Sequence, residues 1–335
     1  MNELQMERAA PMNDLPPKLS VVIPVYNEEP GLQALFDRLY PALDKLGLSY
    51  EVLFVNDGSR DRSAAILRDQ FLRRQDVTRV ILFNANYGQH MAIIAGFEHC
   101  RGERVVTLDA DLQNPPEEIA KLLAAMDAGH DYVGGVRRTR EDSWWRHVAS
   151  KAMNRVRQRI THIQMTDQGC MLRAYSADIV RAVAASREVS TYIPALAYTY
   201  AYNPTEVEVE HAERVAGESK YSLYRLMRLN FDLITGFSLV PLQMFSMFGM
   251  LVSIGAVVTY LIVIVERLVL SGWHEGLATL WDRDILAFFL IGVLLFGLGL
   301  VGEYVGRIYQ QVRERPRFTI QALLEQKRDD AARSQ

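Results

Sequence analysis

Two patterns of apolar and polar residues take turns along the first two-thirds of the chain. Short, nearly continuous apolar runs occur at LSVVIPV (19–25), YEVLFV (50–55), VILF (80–83), VVTL (105–108) and DYVGGV (131–136). Their length and β-branched content predict buried strands. Between them the spacing turns helical. Leu32, Leu35, Phe36, Leu39, Leu43 and Leu46 recur on one face between Pro30 and Leu46, where Pro41 is expected to kink the helix. Further helices are predicted to start near Asp61, Gly88 and Pro115, and TEVEVEH (205–211) alternates as a later strand. Strand and helix in this order predict an α/β fold with a mostly parallel sheet covered on both faces. Ligands of such sheets bind beyond the carboxyl ends of the strands. The loops there, VYNEEP (25–30), NDGS (56–59), NANYGQH (84–90) and DADLQ (109–113), are all polar, and parallel pairing would bring them to one edge.

After residue 232 the pattern changes. No charged residue occurs from Leu233 to Val265, and Pro241–Val265 is long enough to cross a bilayer as a helix. A second uncharged run, Ile285–Gly302, has 18 residues. Arg214, Lys220, Arg225 and Arg228 precede the first run, and Arg307, Arg313, Arg315 and Arg317 follow the second. The intervening loop, 266–284, is acidic on balance. The positive-inside rule then puts both termini and the large amino-terminal domain in the cytoplasm. The expected organisation is a flexible leader (1–17), a cytosolic domain (18–232), a membrane domain (233–310) with spans near 241–265 and 285–302, and a cytosolic tail (311–335).

Composition narrows the chemistry. A net charge of −3 over 335 residues offers no phosphate-tracking surface, so nucleic acid is not an expected partner. Cys100 and Cys170, 70 residues apart, match no metal or redox spacing and are expected to be structural. The carboxylates are more informative. If residues 107–111 are extended, Asp109 and Asp111 point to one side and repel, a conflict that a divalent cation with oxygen ligands would remove. A solvent-facing turn would also account for the local sequence. Asn114 is expected to cap the next helix, with Pro115 at its first position and Glu117 in its first turn. His90 is expected to be a hydrogen-bonded turn histidine.

VVIPVYNEE, VNDGS and DADLQNPPEE, in this order and spacing, resemble family 2 glycosyltransferases of the GT-A fold. The likeness continues through NYGQH, DSWWRHVASKAMNR, GCMLRAY, GESKYS and GEYVGRIY, covering roughly residues 18–318. With two membrane runs, the set is similar to bacterial polyisoprenyl-phosphate glycosyltransferases. The resemblance implies that Pro24, Tyr26, Glu28 and Asp57 line the nucleotide pocket, with Asp57 reading the uracil edge. It implies that Asp109 contacts ribose or metal, and that Asp111 and Gln113 hold Mg²⁺ or Mn²⁺ on the donor diphosphate. Arg146 and Ser150, four apart and so on one helical face, would join Arg137 in a lipid-phosphate clamp. A solvated basic face would look similar. Arg214, Ser219 and Lys220 would close over the diphosphate, although a juxtamembrane segment touching anionic lipid has the same composition. Asp167 would meet the sugar or the acceptor. The implied reaction is inverting transfer from a UDP-sugar to undecaprenyl phosphate at the bacterial inner membrane, by a homo-oligomer, for lipid A modification and polymyxin resistance. The expected sugar is 4-deoxy-4-formamido-L-arabinose, with glucosyl or mannosyl donors left open. Asn56 stands where an aspartate is frequent, and Ala85 where a basic residue is.

Overall fold

The computed structural model describes residues 16–137, 165–167, 169–186, 192–211, positions between 242 and 258, 279–312 and 316–326. The chain divides into two units. One comprises Met1–Ser150, Ile163–Lys220 and Arg315–Gln335, and the other Lys151–His162 and Tyr221–Glu314.

The first unit is built on strands β1 (Leu19–Val25), β2 (Tyr50–Asn56), β3 (Thr78–Phe83) and β4 (Arg104–Thr107). These pair in parallel, with β1 between β2 and β4 and β3 beyond β2. Helices α1 (Leu32–Asp44), α2 (Ser63–Arg73) and α3 (Gln89–His99) supply the crossovers, and α4 (Ile119–Asp127) follows β4. Being hydrogen-bonded on both edges and covered on both faces, β1 has no polar alternation. Leu19, Val21, Ile23 and Val25 join the apolar cluster of α1, α2 and α4, while Val22 meets Gly96 of α3.

Beyond β4 the sheet departs from simple alternation. Strand β5 (Tyr132–Arg137) does not pair with β4, because β6 (Arg173–Ser176) lies between them, antiparallel to both. After α5 (Ala177–Ala185) and α6 (Ile193–Tyr200), strand β7 (Pro204–Val209) runs parallel to β5 on the outer edge. The opposite edge is β8 (Ile320–Leu324), antiparallel to β3, from a segment whose sequence predicts no element. The full order is β7-β5-β6-β4-β1-β2-β3-β8. The mostly parallel expectation therefore holds for the centre, and antiparallel strands flank it.

In the second unit, α7 (Thr279–Val312) runs for 34 residues and contains the uncharged run from Ile285 to Gly302. Its described side chains begin at Ala287 and are interrupted, and among the described residues no helix is long and apolar enough to cross a membrane. Of the earlier run, the structure describes positions between 242 and 258.

Candidate active site at the carboxyl edge of the sheet

Parallel pairing brings the ends of β1 to β4 to one edge, and the loops that leave them are tied to one another. Asn27 has φ +56°, a left-handed conformation that asparagine tolerates, and its Oδ1 accepts from the Arg60 amide at 2.8 Å. The Asn27 amide donates to Ser59 Oγ and the Glu28 amide to Ser63 Oγ, both at 3.0 Å. Glu29 and Asp61 complete the seam, Glu29 N donating to Asp61 Oδ2 and Arg62 N to Glu29 Oε2. The loop after β2 turns at Gly58, φ +63°, where a Cβ would overlap the backbone of Ala85. Glycine is required there both for the turn and for the approach of the next loop.

Asp57 fastens that next loop. Its Oδ1 accepts from Tyr87 N (2.7 Å), and its Oδ2 from Gly88 N (2.9 Å) and Asn86 Nδ2 (2.8 Å). Burial pushes the carboxyl up, and the two amides partly offset that. The carboxylate expected to read a base is thus largely engaged in shaping the edge, with one lone-pair direction of Oδ1 uncommitted. Pro24 is half-buried at the end of β1, Tyr26 is exposed, and Glu28 is half-buried.

The aspartate pair sits differently from the extended geometry predicted. Strand β4 ends at Thr107, and residues 110–114 form a tight turn in which Leu112 has φ +59°. Leu112 and Ala110 are buried, which holds the turn against the core while Asp109 and Asp111 stay half-exposed. The two carboxylates still feel each other. Burial, then the charge of Asp111 and that of Glu28, push Asp109 up to about 7, against Gln89 and Arg137 acting the other way. Gln89 Nε2 donates to Asp109 Oδ1 at 2.6 Å, and Gln113 N donates to Asp111 Oδ1 at 3.1 Å.

Asn114 does not cap the following helix. It is buried and accepts from Cys170 Sγ at 3.6 Å, and a 3₁₀ turn (Pro116–Glu118) starts after Pro115, leading into α4. Glu117 pairs with Arg38 at 2.9 Å instead of acting on the helix start. Tertiary partners outcompete the local capping pattern here.

On the β5 side, Arg137 and Asp167 form a two-pronged pair, Nε to Oδ2 at 2.6 Å and an outer nitrogen to Oδ1 at 2.8 Å. Burial pushes Asp167 up, and the Arg137 bonds and charge outweigh it, leaving the carboxyl below its usual range. Arg137, the described member of the expected anion clamp, therefore already holds a carboxylate. The loop under Asp167 is braced by Arg173, fully buried in β6, which donates to the carbonyls of Asp167 (2.6 Å) and Cys170 (2.8 Å) and to the Tyr132 hydroxyl. Cys100 is half-buried and Cys170 buried, and both are free thiols.

A residue not anticipated from sequence also stands here. His211, just past β7, hydrogen-bonds to the Gln113 backbone and senses Arg137, Asp111 and Asp167, while its buried Nδ1 has no partner among the described residues. Burial first, and then Arg137, lower its pKa. The signal that could have found it is the strand-end rule itself, since β7 is parallel to β5 and exits at the same edge. His90 lies in the first turn of α3 rather than in a loop, packed edge-on against Tyr192, with burial lowering its pKa to about 4 and Nδ1 unpartnered among the described residues. Arg146, Ser150, Arg214, Ser219 and Lys220 lie outside the described residues.

Residues 20–183 match the model of glycosyl transferase family 2. The undecaprenyl-phosphate 4-deoxy-4-formamido-L-arabinose transferase of Edwardsiella ictaluri (strain 93-146) is 47% identical over 314 residues, 93% of this chain and 96% of that protein. The protein of the same name from Aeromonas hydrophila is 46% identical over 316 residues, with the same coverage. Among solved structures, glucosyl-3-phosphoglycerate synthase from Mycobacterium tuberculosis with Mn²⁺, UDP-glucose and phosphoglyceric acid superposes with a TM-score of 0.45 at 15% identity, covering 65% of this chain and 78% of that one. The near-complete coverage of relatives at almost half identity and the match to the family model give one conclusion, that this chain belongs to glycosyl transferase family 2.

Proposed function

We propose that this glycosyltransferase moves a sugar from a UDP-sugar to undecaprenyl phosphate, with inversion, at the cytoplasmic face of the bacterial inner membrane. The observation that carries the reading is the Asp109 carboxyl at the carboxyl edge, which burial and the charges of Asp111 and Glu28 push up while Gln89 and Arg137 act against them. The sugar we assign is 4-deoxy-4-formamido-L-arabinose, supported by the names of the two relatives and their coverage.

The donor set fits a hard divalent cation, Mg²⁺ or Mn²⁺. Among the described residues no three His, Cys, Asp or Glu side chains form a complete metal site. Two carboxylates, the Gln113 amide and diphosphate oxygens are nonetheless what such an ion takes when it binds with a nucleotide. The raised pKa of Asp109 is the cost that a bound cation would remove. When bound, the cation supplies charge stabilisation for the departing diphosphate.

The remaining work falls to the chain. Asp109, Asp111 and Gln113 orient the donor, and Tyr26, Pro24, Glu28 and Asp57 border the nucleotide. A phosphomonoester has a second pKa near ~6, so the lipid phosphate arrives as a competent oxyanion and needs no strong base. Its oxygen bonds to the anomeric carbon as the bond to UDP breaks, the electron pair leaving with UDP. Arg137, fixed by Asp167, would face the acceptor with Arg146 and Ser150, and Arg214, Ser219 and Lys220 would cover the diphosphate. Membrane anchoring is supported by the exposed apolar side chains of α7, among them Leu294, Leu295, Phe296 and Leu298, a surface with no reason to face water. We assign two spans, cytoplasmic termini and packing of like chains through the spans, with Ile320–Leu324 of the tail completing the sheet of the cytosolic domain.

Purified full-length protein incubated with undecaprenyl phosphate and a panel of UDP- and GDP-sugars, with and without EDTA, tests the reading by mass spectrometry of the lipid product. A 4-formamido-arabinosyl lipid made only without EDTA is expected. A product from UDP-glucose or a GDP-sugar in its place would overturn the donor assignment.

A further inference from the structure

Strand β8 closes one edge of the sheet, and the residues that lead into it reach the loop after β3. In the ladder with β3, Leu82 lies opposite Ala322 and Phe83 opposite Ile320, so Gln321 is an extra residue on β8. A bulge of this kind bends its strand and re-aims the residues beside it. Thr319 and Phe318 are thereby carried past the end of β3. The Asn84 amide donates to the Thr319 carbonyl at 3.2 Å, and the Phe318 ring stacks on Phe83, centroids 4.9 Å apart and planes 16° from parallel.

From there the contacts run on to the candidate site. Phe83 meets Tyr87 edge-on at 5.6 Å, and the Tyr87 hydroxyl donates to Asn84 Oδ1 at 2.8 Å, which closes the loop on itself. Asp57 holds the far side of the loop through the amides of Tyr87 and Gly88. Gln89, the first residue of α3, then donates to Asp109. Asn84, Ala85 and Asn86 are exposed, so the apolar core does little to fix the loop. Its position is set by Asp57 on one side and by Phe318 and Thr319 on the other.

We infer that Phe318 is a positioning residue for the donor site: through Phe83 and Tyr87 it holds the loop that sets Gln89 against Asp109. The inference rests on the reading of this edge as the donor site. Phe318 then acts on the nucleotide through the loop and not by contact, and the segment that follows α7 in the chain tunes nucleotide affinity.

The test compares full-length wild type, Phe318→Ala, Phe318→Leu and Phe318→Tyr in detergent. Phe318 is half-buried at the sheet edge, so truncating it should spare the central strands. Hydrogen exchange without ligand reads the Tyr87 and Gly88 amides, with the amides of residues 52–55 in β2 as the internal control. Titration calorimetry reads UDP binding with Mn²⁺, and initial rates give separate KM values for the UDP-sugar and for undecaprenyl phosphate. In Phe318→Ala, exchange at Tyr87 and Gly88 should quicken and UDP affinity should fall, each by about tenfold, the worth of one well-packed aromatic pair. Exchange in β2 and the KM for the lipid should not change. Phe318→Leu should fall between, and Phe318→Tyr should match wild type. Unchanged exchange at Tyr87 and Gly88 in Phe318→Ala would overturn the inference, as would equal quickening in β2, which marks general loosening. Faster loop exchange with UDP affinity at the wild-type value would overturn it too, because the loop would then not serve the nucleotide. A wild type that binds no UDP would count against the donor reading instead, with exchange still deciding whether Phe318 holds the loop.

Discussion

The two ends of the central sheet both gather charged groups, and they treat them in opposite ways. At the amino end, Glu51 accepts from Ser20 Oγ and the Arg101 amide, both at 2.6 Å, and from Arg79 at 3.0 Å. Arg79 and Arg101 then share Glu325, at 2.7 Å each, just beyond β8. Each charge there meets an opposite charge, and Glu51 and Arg79 are buried. At the carboxyl end, the charges of Asp111 and Glu28 add to burial in pushing the Asp109 carboxyl up, with Gln89 and Arg137 acting against them. The amino end is a closed network that holds the strands and the end of the chain. The carboxyl end sets like charges around Asp109, which suits a site that recruits a cation and a diphosphate.

Substitutions that change one end and spare the other sharpen this contrast. The largest effect is expected from Asp111→Asn. Sugar transfer to the lipid should fall by about 10³-fold, the scale of several kcal/mol of lost charge stabilisation, with unfolding unchanged. Glu51→Gln should do the reverse. Removing one member of a buried pair costs about 3 kcal/mol, seen as a lower Tm in detergent, while kcat stays near wild type. Asp167→Asn comes next. Releasing Arg137 should lower kcat/KM for the lipid acceptor by roughly 10–100-fold, with a smaller change in KM for the nucleotide.

The smallest expected effect is on pH dependence. Folding raises the pKa of Asp109 from about 4 to about 7, so the folded state binds that proton more tightly than the unfolded chain does. Without metal, stability contributed by this group is full below the ordinary carboxylate range and is lost as pH rises through about 7. A cation removes the cost of the charged form, so the Tm increase caused by Mn²⁺ should grow between about pH 5 and 8. A shift that is flat across that window would separate Asp109 from the metal.

What was legible in sequence was what depends on short-range pattern. The apolar runs of β1 to β4 and the polar loops at their ends needed only periodicity, and Asp57, Asp109 and Asp111 were found because each closes such a run. Features made by distant residues were not legible. The strand at Ile320–Leu324 pairs with β3 across more than half the chain, and β6 is four residues with a buried arginine, so neither carries a strong signal of its own. Asn114 looks like a cap until Cys170 approaches it, and Arg137 looks like a free anion ligand until Asp167 claims it. His211 carries no motif of its own, although its position after an alternating strand places it with the other loop residues.

Mn²⁺ binding measured by titration calorimetry in the presence of UDP tests the central contrast most directly. Wild type and Glu51→Gln should bind one Mn²⁺ per chain with the same affinity, and Asp111→Asn should bind it at least about tenfold more weakly. Equal binding by Asp111→Asn and wild type would contradict the account, because the carboxylates at the carboxyl edge would then not be what holds the cation.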